Sequence, residues 1–424
     1  MLPRLRIIQV GDVHLPGAVR GERSLDEKDR RFPPGMRNVI STHPTKNVFQ
    51  QIYRLLQTED FAAILFMGDL TDIGNLAGYS SCATYIARAL QLGSQGELTN
   101  TPIGIVPGNH DINRELAKKV GLTPKFAPLV AALASVGLPT LPVARPIWLD
   151  VGENSAKAKI ALLNSCWGCG AQEFIPQEFR PDVFTAIDQA LARGEPERTT
   201  RAYYDRQFDT PSFSHQTIQE FSKVAAELAG AEILIACAHH NLLPQRKSRL
   251  APYTELINSG ALRGVLCELQ RPVIYLHGHI HDDPIEIIAT PDSAPLICIS
   301  APEATSGFNV LNFAFTPTGV PLSCNIFKWR FDDSGVLAQR ERLPISLLGQ
   351  RRRSHDRTLV QLYAMLLNSG ELYWADLVRL SSTIYTQNPE AQLEEGLELL
   401  ATDGRVIIEN HEMPRASWIV GAKV

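Results

Sequence analysis

Short apolar runs alternate with amphipathic segments along most of the chain. Five of the runs are rich in branched aliphatic residues, as buried strands are; they cover residues 5–10, 62–67, 103–106, 233–237 and 273–276. Between them, the patterns at 45–57, 79–91 and 215–228 have the period of helices. This alternation predicts parallel strands joined by helices, the arrangement of an α/β domain.

The pattern changes twice towards the end of the chain. Runs at 295–300, 308–315 and 324–329 alternate and are separated by turn residues, which predicts antiparallel strands of a second sheet. Beyond Arg351 the sequence predicts three short helices and a two-stranded hairpin; they cover residues 358–367, 373–381, 389–401, 405–409 and 416–420. We therefore expect a catalytic domain over 1–335, a linker over 336–355 and a small domain over 356–424.

Polar clusters follow each of the five buried strands directly. They are Asp12-Val13-His14, Gly68-Asp69-Leu70-Thr71-Asp72, Gly108-Asn109-His110-Asp111, His239-His240 and Gly278-His279-Ile280-His281. Ligands of layered α/β domains gather outside the carboxyl ends of the strands, so five such clusters can converge on one crevice. Carboxylates, an amide and imidazoles in one crevice predict a metal centre.

The residue types suit the hydrolysis of phosphate esters. That reaction needs a hydroxide nucleophile at neutral pH and positive charge beside the phosphoryl oxygens, and two divalent ions about 3.5 to 4 Å apart supply both. Asp12 and His14 are two residues apart on an extended segment, so their side chains point the same way. Gly68 and Gly278 lack a β-carbon and let the backbone approach the metals closely.

The five clusters resemble the motifs of the calcineurin-like metallophosphoesterase superfamily, which are D-x-H, G-D-x-x-D, G-N-H-[DE], a histidine after a strand, and G-H-x-H. The resemblance implies a two-sheet sandwich flanked by helices and two divalent metal ions, Mn, Fe or Zn. The implied metal ligands are Asp12, His14 and His281 for one ion, Asn109, His239 and His279 for the other, and Asp69 as the bridge between them.

Two further residues receive catalytic roles from the same resemblance. His110 would lie outside the metal shells and assist the leaving oxygen, and Asp72 would orient His110 by accepting its second ring N–H. For Asp111, a role in capping the loop is an equal alternative. Of the twin histidines, His239 matches the family's ligand position and His240 does not.

Within the superfamily, the motifs look most like the cyclic-nucleotide phosphodiesterase branch. The expected function is therefore hydrolysis of a nucleotide or cyclic nucleotide by in-line attack of a metal-bound hydroxide on phosphorus. Two alternatives stay open: a metal-dependent nuclease of the same superfamily, and a non-catalytic metal-binding scaffold. The segment 193–206, rich in Arg and Tyr, leaves room for a nucleic-acid strand.

Composition adds expectations about partners and location. The net charge of −4 offers no basic field for nucleic acid. Three helices and a two-stranded wing resemble a winged-helix domain, but residues 351–424 hold eight Lys or Arg against ten Asp or Glu, so self-association or a protein partner is favoured over DNA. No membrane span or signal peptide is visible and the seven cysteines are scattered, so a cytoplasmic enzyme is expected.

Three segments are longer than connections require, namely 17–44, 112–146 and 168–213. Long loops in compact domains are usually functional lids or disordered, and the first two begin at metal motifs, so we expect them to rim the active site. The sequence Cys166-Trp167-Gly168-Cys169 overlaps the start of the third segment and has the spacing of half a zinc or redox site. Because no second such pair exists, we interpret these cysteines as incidental thiols of a loop.

Overall fold

The structure of the protein is a computed structural model. It describes residues 2–15, 45–71, 76–94, 96–98, 101–117, 121–170, 177–192, 210–228, 232–244, 255–289, 294–348 and 356–423. The predicted lid 17–44, the whole segment 193–206 and Asp72 lie outside these residues.

The described elements up to residue 192 are β1 (Arg4–Val10), α1 (Thr45–Thr58), β2 (Ala63–Phe66), α2 (Leu76–Ala89), β3 (Ile103–Ile105), α3 (Arg114–Ala117), α4 (Ala127–Ser135), β4 (Ile147–Glu153), β5 (Ala156–Leu162) and α5 (Arg180–Ala192). Those that follow, up to residue 346, are α6 (His215–Glu227), β6 (Ile233–Cys237), α7 (Ser259–Glu268), β7 (Val273–His277), β8 (Ile285–Ile288), β9 (Leu296–Ser300), β10 (Gly307–Phe315), β11 (Pro321–Phe331) and β12 (Leu337–Ser346).

Two six-stranded mixed sheets form the larger part of the described chain. Sheet 1 has the strand order β12-β11-β10-β1-β2-β3, and sheet 2 has the order β4-β5-β6-β7-β9-β8. In sheet 1, β1, β2 and β3 run parallel, and in sheet 2 so do β5, β6, β7 and β9. The five strands predicted to precede the polar clusters are all present. The carboxyl ends of β1, β2, β3, β6 and β7 therefore carry those clusters.

Apolar side chains pack the two sheets face to face. Ile7 and Leu65 of sheet 1 lie in one buried cluster with Ile235, Ile274 and Ile297 of sheet 2. The outer face of sheet 1 packs against α1, α2 and α4, and that of sheet 2 packs against α6 and α7. The predicted two-sheet α/β sandwich with helices outside is thus confirmed.

Several strands were not expected from the sequence. Residues 337–346 of the predicted linker form β12, which pairs with β11 along its whole length. The middle of β12 is exposed and carries the charged run Arg340-Glu341-Arg342, so an edge strand looked like a polar linker. The hairpin of β4 and β5 was also missed, because its exposed face interrupts the apolar pattern.

The predicted segment 112–146 is largely a packed element. Leu129 and Leu133 of α4 are buried in the cluster that covers the outer face of sheet 1. The expected helical pieces broken by prolines are present, as α3, a short 3-10 helix (Pro124–Phe126) and α4. Burial of its apolar face against the core fixes α4 on the outer face of sheet 1.

The C-terminal part contains three helices and a three-stranded sheet. Its elements are α8 (Arg357–Ser369), β13 (Leu372–Tyr373), α9 (Trp374–Ser381), α10 (Pro389–Thr402), β14 (Val406–Glu409) and β15 (Ile419–Ala422). The strand order is β13-β15-β14. Its apolar core includes Leu2 and Leu322 of the larger part, so the two parts share buried surface.

Two buried glutamates of α10 join the C-terminal part to sheet 1. Glu398 accepts hydrogen bonds from Ser323 Oγ at 2.6 Å, from Arg4 Nη2 at 3.2 Å and from Asn325 Nδ2. Glu394 accepts one from the backbone N–H of Leu2 at 3.1 Å. These carboxylates therefore fix the beginning of β1 against α10.

The charge of Glu398 is maintained by its partners. Burial would raise the pKa of this carboxyl, but the hydrogen bond from His411 (2.9 Å) and the charge of Arg4 outweigh burial and hold the pKa well below its usual range. Burial lowers the pKa of His411, so a neutral ring donates its Nε2–H to the carboxylate. Because the folded-state pKa of Glu398 is depressed, its stabilisation is present at neutral pH and is lost as the pH falls below the ordinary carboxyl range.

No helix among the described residues combines the length and apolar character needed to cross a membrane.

We expect Glu398→Ala to lower the free energy of unfolding by about 3 to 5 kcal/mol, because it removes the buried carboxylate that accepts from Ser323, Asn325 and the partly buried Arg4. Urea denaturation at pH 7 measures this. The control is Glu390→Ala, whose half-exposed carboxylate pairs with Arg415 on the surface; its effect should stay below about 1 kcal/mol. Equal effects of the two substitutions would contradict the role given to Glu398.

Candidate metal centre

The seven predicted ligands meet where the carboxyl ends of the two sheets adjoin. Asp12 and His14 follow β1, Asp69 follows β2 and Asn109 follows β3. From sheet 2, His239 follows β6, and His279 and His281 follow β7. Backbone hydrogen bonds join the loops, as in the bonds that Asp69 O accepts from Val13 N (3.0 Å) and His14 N (2.8 Å).

Asp12, His14 and His281 form one group. Their ligand atoms lie within 4.8 Å of one another, and His14 Nε2 is 3.2 Å from His281 Nε2. Two imidazoles and a carboxylate at this spacing are a fitting donor set for a divalent ion. The structure thus brings together the three residues that the resemblance gives to one metal.

His239 lies at the centre of the second group. Its Nε2 is 3.0 Å from Asn109 Oδ1, 3.3 Å from His279 Nδ1 and 3.3 Å from Asp69 Oδ2. The same carboxylate oxygen of Asp69 is 3.9 Å from His14 Nε2 of the first group. Asp69 therefore lies between the two groups, as a bridging ligand must.

The backbone is strained where these side chains originate. His14, Asp69, His279 and His281 have φ angles of 45°, 48°, 68° and 51°, in the left-handed region that residues other than glycine rarely adopt. Such conformations persist only where the surrounding structure fixes them, and they cluster at functional sites. Four of the seven predicted ligands thus have side-chain orientations that a loop with ordinary negative φ angles would not produce.

The glycines of two motifs allow close packing at the centre. Gly68 has a φ of +92°, and a β-carbon there would lie 2.8 Å from His239 Nδ1. A β-carbon on Gly278 would lie 2.8 Å from Asp12 Oδ2. Both positions therefore exclude a side chain, because a predicted ligand packs directly against the backbone there.

The centre is a buried site with an excess of negative charge. Burial raises the pKa of Asp12, and the nearby Asp69 raises it further against the pull of His239. Burial would also raise the pKa of Asp69, but His239 and His110 hold it well below its usual range. Burial would lower the pKa of His239, yet Asp69 and Asp12 raise it to about 10. Two buried carboxylates thus share the positive charge of one histidine. Divalent cations would compensate the negative charge that remains.

One side of the centre is open to solvent. Asp12, Asp69 and His239 are buried, whereas His14, His279 and His110 are only partly buried and His281 is exposed. The ring of His110 lies 4.9 Å from that of His14. A ligand can therefore reach the centre from the side of His14, His110 and His281.

Hydrogen bonds fix the loop that carries Asn109 and His110. The backbone N–H of His110 donates to Asp69 Oδ1 at 2.8 Å. Asp111, left open between two roles, accepts from Gly108 N and Thr71 N, both at 2.9 Å. Capping of the loop is therefore what Asp111 does. Its buried carboxyl has a pKa raised to about 6 by burial and by Asp69.

Residues outside the predicted set of ligands support the centre. Thr71 Oγ1 donates to His110 O at 3.0 Å. Ser165 Oγ accepts from His240 N at 3.0 Å and lies 2.9 Å from His240 Nδ1. His240 is fully buried beside the rings of His239 and His279. Only the position of Ser165 just after the apolar strand β5 signals its role in the sequence.

Several solved structures align with this chain at low sequence identity. A dimetal phosphatase from Danio rerio aligns with 81% of this chain and 99% of its own, at 12% identity and a TM-score of 0.46. A purple acid phosphatase from yellow lupin aligns with 83% of this chain and 55% of its own, at 14% identity and a TM-score of 0.42. The NAD nucleotidase of Haemophilus influenzae aligns with 80% of this chain and 60% of its own, at 12% identity and a TM-score of 0.39. This chain spans little more than half of the last two proteins. Among curated protein sequences, no significant match was found.

A family match covers most of the larger part of the chain. The model of the calcineurin-like phosphoesterase family matches residues 5–283, which are 279 of the 424 residues. The matched range begins within β1, ends just after His281 and includes every polar cluster described above. The chain therefore belongs to the calcineurin-like phosphoesterase family and is a phosphoesterase.

Proposed function

We propose that the protein is a dinuclear metal-dependent phosphodiesterase that hydrolyses a nucleotide or cyclic nucleotide. The observation that carries the proposal is the position of Asp69, whose carboxylate lies between two groups of donors from five strand ends. A single structural ion would need neither two groups nor a carboxylate between them. A phosphoester reaction uses such a pair of ions on both the attacking and leaving oxygens.

The donors fit two divalent ions by their chemistry. Asp12, His14 and His281 would hold one ion, Asn109, His239 and His279 would hold the other, and Asp69 would join both. Nitrogen and oxygen donors of this kind suit Mn, Fe and Zn alike. Bound ions would supply the positive charge that the buried carboxylates lack and an activated water for attack on phosphorus.

The chain's own residues would orient the ester and move a proton. His110 is fixed through its backbone by Asp69 and Thr71, and its ring stands beside that of His14 on the open side. A ring in that position can donate a proton to the departing oxygen. We propose the same pairing with Asp72 that the motif implies, because an acceptor on the second ring nitrogen would fix the tautomer.

The preference for a diester rests on motif resemblance. The run from Gly68 to Asp72, the run from Val106 to Asp111 and the twin histidines look like the cyclic-nucleotide branch. The overall charge of −4 supports a small nucleotide over a nucleic-acid strand. A cytoplasmic location is part of the proposal, supported by the seven free cysteines among the described residues.

We further propose that the C-terminal part is a winged-helix-like domain used for protein contacts. The order of its helices and strands supports this assignment. A DNA-binding winged helix presents its third helix to a groove, but here α10 is buried from Gly396 to Ala401 and its glutamates bond to sheet 1. A helix committed to an internal contact and rich in carboxylates is unsuited to phosphate backbones.

Asp69→Asn should reduce turnover of bis-p-nitrophenyl phosphate at least about 100-fold, because the isosteric amide removes the bridging charge. The same variant should bind fewer Mn²⁺ ions per chain, as measured by equilibrium dialysis. Asp150→Asn, which changes a carboxylate exposed at the surface, is the control. An Asp69→Asn protein with near-normal turnover would contradict the proposed centre.

His110→Asn should lower kcat by about 100- to 10,000-fold with a leaving group that needs protonation, such as the phenolate of a phenyl diester. The loss should be much smaller with p-nitrophenolate, which leaves without a proton. Measuring kcat for both diesters tests this, with His215→Asn, at an exposed position of α6, as the control. Equal losses with both leaving groups would exclude His110 as the proton donor.

A further inference from the structure

A second cluster of metal-binding side chains lies behind the phosphoesterase centre. The sulfur atoms of Cys166 and Cys169 and a ring nitrogen of His240 all lie within 4.8 Å of one another. All three residues are fully buried. The sequence offered the cysteine pair alone, whereas the fold adds a third donor from the end of β6.

A rigid turn places the two thiols on the same side. The backbone N–H of Cys169 donates to Cys166 O at 3.1 Å, and that of Cys166 donates to Asn164 Oδ1 at 2.9 Å. The buried ammonium of Lys125 donates to Trp167 O at 2.7 Å and to Cys169 O at 2.5 Å. Because the turn is fixed by four hydrogen bonds, the two sulfurs are held together before any ligand arrives.

The third donor is fixed just as firmly. Tyr275 Oη donates to His240 O at 2.7 Å, and Ser165 Oγ accepts from His240 N. His240 Nδ1 is 3.9 Å from Cys166 Sγ. Two ligands of a tetrahedral zinc ion, with bonds of about 2.3 Å to sulfur and about 2.05 Å to nitrogen, are about 3.6 Å apart. A shift of a few tenths of an ångström would bring this pair of atoms to that separation.

The donor set differs in kind from that of the phosphoesterase centre. Sulfur donors select zinc and other soft cations, whereas the carboxylates, amide and imidazoles next to them suit harder ions. Two thiolates would balance the charge of a divalent ion in this buried place, and both thiol protons would pass to solvent on binding. The serine hydroxyl beside His240 Nδ1 offers a fourth, oxygen donor.

We propose that Cys166, Cys169 and His240 bind a third metal ion, of the zinc type, with a structural role. The ion would tie the loop after β5 to the turn after β6. That turn also carries His239, so the site would stiffen the support of the phosphoesterase centre. This assignment replaces the interpretation of the two cysteines as incidental thiols, and it does not depend on the proposed diester substrate.

Cobalt(II) provides the test, because thiolate ligands give a sulfur-to-cobalt charge-transfer band that nitrogen and oxygen ligands do not. The full chain, purified under reducing conditions and loaded with excess Co²⁺, should show this band and bind three ions. Cys169→Ser should lose at least about 90% of the band and bind two ions, since one thiolate is removed. Cys267→Ser, which changes a half-buried thiol outside the cluster, should keep both values.

X-ray absorption spectroscopy of the wild-type chain loaded with zinc reports the zinc ligands directly. This second measurement does not depend on the folding of any variant. Scattering by sulfur at about 2.3 Å from part of the bound zinc would support the site. Zinc surrounded by nitrogen and oxygen alone would overturn it. So would five free thiols instead of seven in the unfolded, unreduced chain, if mass spectrometry of its peptides places the disulfide between Cys166 and Cys169. Neither readout measures hydrolysis, so failure here leaves the phosphodiesterase proposal intact.

Discussion

The burial of carboxylate charge at the edge where two sheets meet is the constraint on which the rest of the structure depends. Asp12 and Asp69 are almost without solvent exposure, and Asp111 lies buried behind them. Burying charges costs several kcal/mol each unless partners compensate. His239 compensates one carboxylate, and backbone N–H groups satisfy Asp111. The remaining charge makes the edge a strong site for cations, and the phosphoesterase chemistry of the family follows from that property.

The backbone of the scaffold fixes the buried carboxylates and histidines in place, despite the free energy that their burial costs. The interior of the sandwich fixes the strands, and the loops at their ends then hold four predicted ligands at positive φ. The C-terminal part contributes from the opposite end of β1. Glu394 and Glu398 hold Leu2 and Arg4 where the strand begins, and the same strand ends just before Asp12. The hydrogen bonds at the beginning of β1 therefore help to fix the strand whose other end leads into Asp12 and His14.

The centre could be predicted from the sequence because its chemistry is local. Each cluster directly follows an apolar run, so a strand end and a polar group could be found together, and the family match covers them all. Features that depend on distant contacts could not be found in this way. The charged edge strand β12 looked like a linker, and the packing of α4 against sheet 1 could not be read from its sequence. The pairing of Cys166 and Cys169 with His240 joins the ends of β5 and β6, which no spacing in the sequence reveals.

Reconstitution with manganese tests the central claim most directly. The chain is stripped of metal with a chelator, and Mn²⁺, which sulfur donors bind poorly, is then added in steps while hydrolysis of bis-p-nitrophenyl phosphate is followed. A dinuclear centre predicts no hydrolysis without metal and a plateau at two ions per chain. Full hydrolysis without a divalent ion, or a plateau at a single ion, would contradict the account.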